Sequence, residues 1–101
     1  MGKTKRIKAL IDCMVACEKC IVHCIKADNK QCISLCMDCV DVCALCMRLE
    51  ARSSGFRNQI HALCAKICEA CAEECTKHAD KHESCKRCAE ACTKCAAATC
   101  E

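Results

Sequence analysis

The chain has no proline, no tryptophan, no tyrosine, one phenylalanine and two glycines in 101 residues. Each shortage excludes something. Without aromatics or any apolar/polar alternation of period two, a β-sheet has no material to form from. Without proline, nothing breaks a helix from within. Without stacking rings, and with 16 basic residues set against 13 acidic ones for a net charge of +3, the chain offers no nucleic-acid surface. No apolar run is long enough to span a bilayer, and Asp12, Glu18 and Lys19 interrupt the stretch where a signal peptide would need its apolar region. The expected compartment is therefore the cytoplasm, with no membrane and no nucleic-acid partner. A core with one Phe and no Trp or Tyr is also thin for a single domain of residues 1–101.

What is present instead is cysteine, 18 of them. Their spacing is helical. From His61 to His78 the order is His61, Cys64, Cys68, Cys71, Cys75, His78, with gaps alternating between three and four. At about 100° per residue these positions share one face of a helix. Cys13, Cys17, Cys20 and Cys24 form a second stripe, Cys32, Cys36, Cys39, Cys43 and Cys46 a third, and Cys85, Cys88, Cys92 and Cys95 a fourth. Cys100 alone falls off its stripe.

Breaks separate the four segments. Ala27-Asp28-Asn29 ends the first helix (Thr4 to Lys26), and Asp28 with Gln31 reads as a capping box for a second helix running to about Ala51. Ser53-Ser54-Gly55 is the next break, where a serine can cap the third helix, which ends near His78. Asp80 with Glu83 reads as another capping box, opening a fourth helix over about Lys81 to Ala98. Such short connections force antiparallel neighbours. The expected fold is all-α: an antiparallel up-down-up-down four-helix bundle with a cysteine-lined core. Cys24, Cys32, Cys75 and Cys85 should gather at one end, and Cys13, Cys46, Cys64 and Cys95 at the other. Met14 and His23 lie off the stripe of the first helix and read as packing and solvated surface. The surplus aliphatics of the first two helices point to self-association.

A tube of thiols calls for soft metal. As mere small hydrophobes these cysteines would leave the bundle underpacked. As disulfides, pairs along one helix would staple little, in a compartment that keeps thiols reduced. Iron–sulfur clusters are held from loops with a distant fourth cysteine, and thiol enzymes single out one activated cysteine. A closed Cys₄ zinc site carries a formal charge of −2, and several stacked in a dry interior would leave charge unpaired. Monovalent Cu(I), sharing thiolates at about one ion per thiolate, brings the interior near neutrality. Neighbouring cysteines one turn apart could share an ion, so pairs from one helix are the expected primary ligands. His61 and His78 close the third stripe and are candidate ligands at a pore mouth. His82 and Met47 are weaker candidates. The rival binding reading is a zinc or mixed-metal sink of the metallothionein kind.

The repeated CxxxC and CxxC pairs on four helices, above all ALCAKICEACAEECTKH followed by CKRCAEACTKC, resemble the bacterial copper storage proteins of four-helix-bundle type. The resemblance covers nearly the whole chain. It implies a core filled with multiple Cu(I) ions per protomer, a homotetramer, a storage or buffering role without catalysis, and membership of the cytosolic branch. It also implies His or Met ligands at the open end of the bundle, where His61, His78, His82 and Met47 are the matching candidates.

Overall fold

The computed structural model describes residues 2–100, and this span outside Gly2, Cys100 and three short connections is helical: α1 (Lys3–Lys26), α2 (Lys30–Ala51), α3 (Arg57–Thr76) and α4 (Glu83–Thr99). The body measures 40 × 18 × 18 Å, one helix length long and two helix diameters wide. Each helix packs against its two neighbours around a square, α1 on α2 and α4, α3 on α2 and α4. The expected up-down-up-down bundle is the observed one. No helix among the described residues is long and apolar enough to cross a membrane.

The helix ends differ from the expected caps by a residue or more. Asp28 does not cap α2. It takes a left-handed φ of 56° and closes α1 instead, with its own N–H and that of Asn29 donating back to the carbonyls of Ile25 and Cys24. That wrapped-back pattern is a Schellman turn. Asn29 is the cap of α2, its side-chain oxygen accepting from the Cys32 N–H at 3.3 Å. The same logic repeats after α2, where Ser53 sits at φ 54° and Ser54 N–H reaches back to the Leu49 carbonyl. The expected serine cap of α3 is absent. Phe56 occupies that position, and Ser54 Oγ accepts from the Phe56 N–H just outside the helix. Helix α3 stops at Thr76, and α4 starts at Glu83 behind His82, without a side-chain cap from Asp80.

The core is mostly sulfur. Cys13 through Cys95, all seventeen on-stripe cysteines, are 0–1% exposed, joined by Leu10 and Val42. Met14, Ile21, Ile33, Leu35, Val40, Met47, Ile60 and Ile67 pack around this file from its flanks. The aliphatic volume that holds the helices together therefore lies beside the thiol stripe, in the seams between helices.

Candidate metal-storage core

The stripes meet as a ladder of sulfurs whose close neighbours lie 3.6–4.0 Å apart, its loop-end cluster joined to the rest through Cys36, which lies within 4.8 Å of Cys20, Cys32 and Cys75. At the end carrying the α1–α2 and α3–α4 connections, Cys20 Sγ lies 3.7 Å from Cys24 and Cys32, 3.8 Å from Cys85 and 4.0 Å from Cys75. Further in, Cys17 meets Cys88 at 3.6 Å and Cys92 at 3.8 Å, and Cys36 meets Cys71 at 3.7 Å. Mid-bundle, Cys39 lies 3.6 Å from both Cys13 and Cys68. Cys43 then reaches Cys64, Cys68 and Cys95, each at 3.8 Å, and Cys46 completes the file beside Cys64. Helices on the diagonals of the square meet through sulfur, as in Cys36–Cys88 at 3.9 Å (α2 to α4) and Cys20–Cys75 at 4.0 Å (α1 to α3). Cross-helix neighbours are thus as close as the same-helix pairs Cys20–Cys24 and Cys88–Cys92, at 3.7 and 3.8 Å.

Groups of four sulfurs lie mutually within 4.8 Å, among them Cys13/Cys39/Cys43/Cys68, Cys13/Cys17/Cys39/Cys92 and Cys20/Cys24/Cys32/Cys85. The groups share members, so neighbouring ions would share thiolates. Spacing alone does not choose the metal, since a tetrahedral set with bonds of about 2.3 Å has edges of about 3.8 Å. Charge does. Among the described residues the buried polar or charged ones are Glu50, His61, Glu74 and Thr99, with no lysine or arginine. A file of thiolates here has no protein cation to neutralise it along its length, so the ions must do so.

Protonation follows burial at the loop end. Desolvation pushes the thiols of Cys24 and Cys32 up, and pushes Cys85 up to about 12, helped by the charge of Cys20. Cys20 goes the other way. Its hydrogen bond with Cys36 works against ionisation, but those with Cys75 and Cys88 favour it and lower it to about 6. A thiolate held in this form is ready to take a soft cation.

The two ends of the tube are different. The expected end cluster of Cys24, Cys32, Cys75 and Cys85 is present, knit through Cys20. The expected partner cluster is not: Cys13 lies a layer inward, beside Cys39 and Cys92, because Leu10 continues the α1 stripe past it and fills the end position, fully buried. Cys46, Cys64 and Cys95 remain there. Above them sits a polar clasp. Arg6 Nη1 donates to Glu50 Oε2 at 2.8 Å and Arg6 Nε to the Ala98 carbonyl at 3.0 Å, while His61 Nε2 lies 3.1 Å from Glu50 Oε1. One residue from each helix takes part. Burial alone would raise the Glu50 carboxyl, but Arg6 outweighs it and holds that group below the usual range. His61 is therefore no open mouth. It is 6% exposed under the clasp.

At the other end His78 is half-buried, its Nε2 2.9 Å from Glu74 Oε2. That contact is the main reason the Glu74 carboxyl sits below its ordinary value. His82 packs its ring against that of His23, centroids 4.4 Å apart and planes tilted by 58°. His23, expected as solvated surface, is half-buried with an unpartnered Nε2. The α3–α4 connection carries His82 across to α1, which helical arithmetic on one helix cannot foresee. Met14 packs on the core as expected, and Met47 does the same. Cys100 is exposed. Glu50, Glu74, Arg6 and Leu10 were not singled out in the sequence. Glu50 and Leu10 do fall one helical step beyond Cys46 and Cys13 on the stripes, and extending the count would have found them.

A family description, copper storage protein, matches residues 2–101. The Cu(I)-bound copper storage protein BsCsp3 is 43% identical, with a TM-score of 0.87 over 93% of this chain and 91% of its own. Metal-free copper storage protein 3 from Bacillus subtilis, also 43% identical, superposes at 0.90 over 97% and 95%. A cytosolic copper storage protein from Streptomyces lividans carrying five coppers is 35% identical, at 0.91 over 96% and 88%. By family description, identity and fold together, this chain belongs to the copper storage proteins.

Proposed function

We propose that this protein stores Cu(I) along the axis of its bundle, in the cytosol, holding many ions per protomer on shared cysteine thiolates. The observation that carries the reading is the ladder itself: seventeen thiols shut from water, each within 4.0 Å or one turn of the next, in a tube without buried lysine or arginine. The ligands are Cys13, Cys17, Cys20, Cys24, Cys32, Cys36, Cys39, Cys43, Cys46, Cys64, Cys68, Cys71, Cys75, Cys85, Cys88, Cys92 and Cys95, bridging across helices as much as along them. His78, with His82 beside it, stands at the end without a clasp, where ions pass in and out. The whole chain acts as one storage domain. Capacity, spread over equivalent sites, suits buffering and not turnover.

A homotetramer is the proposed assembly. Ile11, Val15, Val22 and Ile25 on α1 and Met37 and Leu45 on α2 are 42–62% exposed, an apolar surface that a second copy would cover. Titration of the reduced protein with Cu(I) against a chelator, followed by mass spectrometry, tests storage. The expected plateau is close to one ion per core thiol. A plateau near one ion per four thiols, reached with zinc in preference to copper, would establish the metallothionein-like alternative.

A further inference from the structure

His78 stands at the end where ions pass, yet α3 stops two residues before it, at Thr76. The backbone of His78 is tied into the turn that follows. Its N–H donates to the Cys75 carbonyl at 3.1 Å, and its own carbonyl accepts from Lys81 and His82. Those bonds do not fix the direction of the imidazole. A side-chain contact does: Nε2 lies 2.9 Å from Glu74 Oε2, and Lys77 Nζ donates to Glu74 Oε1 at 3.3 Å. This is not an ordinary surface pair. Lys8–Asp12 and Glu83–Arg87 share its i,i+4 spacing, but their carboxylates are 56% and 67% exposed, whereas Glu74 is 11% exposed against 32% for His78. The carboxylate is the fixed half, and the imidazole is the half that meets water. Glu74 also precedes Cys75 in the last turn of α3, so the anchor adjoins a thiol of the quartet Cys20/Cys32/Cys36/Cys75.

The direction of the bond decides the chemistry. An ionised carboxylate offers only lone pairs, so His78 Nε2 must carry the hydrogen and donate it. In the neutral imidazole Nδ1 then holds the free lone pair, the one a soft cation can take. We propose that Glu74 is the positioning residue of the copper entrance, fixing the ring of His78 and its tautomer so that Nδ1 receives each incoming ion. The proposal rests on the reading of His78 as an entrance ligand. Such a clamp sets in advance the rotamer that an arriving ion would otherwise have to freeze. A carboxylate behind the imidazole also makes it a stronger ligand.

Uptake of Cu(I) by the reduced, metal-free protein, delivered from a weak chelator and followed by stopped flow to its plateau, tests this. Glu74→Ala and His78→Ala, checked for native helicity, should each slow uptake about tenfold and leave the plateau within about one ion of wild type. The double variant should be no slower than His78→Ala, because Glu74 acts through that ring. Glu74→Gln keeps an oxygen to accept the Nε2–H and should recover most of the rate. Long-range proton–nitrogen NMR of the metal-free protein should place the His78 proton on Nε2, and substoichiometric Cu(I) should shift Nδ1 while Nε2 keeps its proton. A proton on Nδ1, copper bound at Nε2, or losses that add in the double variant would overturn the proposal. If His78→Ala is slow but Glu74→Ala loads at full speed, Glu74 alone falls and the entrance stands. If His78→Ala also loads at full speed to an intact plateau, the entrance falls and the proposal with it. A low plateau in the wild type instead overturns storage itself, and both readings with it.

Discussion

At Glu50 a single side chain decides how one end of the bundle closes. Its carboxylate is 2% exposed and meets a guanidinium that is 13% exposed. Glu50→Gln keeps the shape and an acceptor but removes the charge, leaving Arg6 half-buried and uncompensated. A loss of about 2 kcal/mol in the metal-free protein is expected, readable as a lower urea midpoint. The pH dependence has a definite sign. The Glu50 carboxyl is held below its ordinary 4.5 in the fold, so its contribution is present above that pH and disappears as pH falls through 4.5 toward the folded value. Wild type and variant should therefore converge in stability as the pH falls below 4.5, and a gap that does not change with pH would contradict this. Mid-bundle, Cys39 lies within 4.0 Å of Cys13, Cys43, Cys68 and Cys92. Cys39→Ala should leave helicity intact yet lower the Cu(I) plateau by one ion or more, because the lost thiolate is shared.

At the scale of elements, the connections carry strain that can be relieved. Asp28 and Ser53 both hold left-handed φ values that an ordinary side chain adopts at a cost of about 1 kcal/mol. Ser53→Gly should raise the melting temperature of the metal-free protein, by about 0.5–1 kcal/mol in stability, without touching copper binding. Gly55, two residues on, has no such φ and gives no comparable relief if changed. These turns also show where the sequence stops being legible. The stripes are readable because a buried face repeats every three or four residues, and all seventeen on-stripe cysteines are buried. Caps are not readable to the residue. Asp28 and Asn29 are both good caps by type, and which one serves depends on how α1 finishes. Stagger between helices is equally hidden: Leu10, not Cys13, reaches the clasped end. The His23–His82 contact depends on the path of the connection after α3.

For the whole molecule, the question is what holds it together before copper arrives. The aliphatic seams and the clasp lie outside the thiol ladder, so the metal-free, reduced protein should be fully helical by circular dichroism. Alkali should be the weak side. Burial raises Cys24 and lifts Cys85 from 9.0 to about 12, so the fold favours their protonated forms. That stabilisation is complete below pH 9 and is lost as pH climbs from 9 toward 12. Copper removes the liability, since the bound thiolate no longer has a proton to lose. The loaded protein should resist alkali that unfolds the empty one.

The placement of Cys100 has a kinetic corollary. It is the exposed cysteine of the described chain, while the seventeen others are closed to solvent. A thiol-trapping dye added to the folded, empty protein should therefore give two well-separated phases: a burst from a single sulfhydryl, then a slow remainder paced by opening of the bundle. The rate of that second phase would report how often the vault breathes.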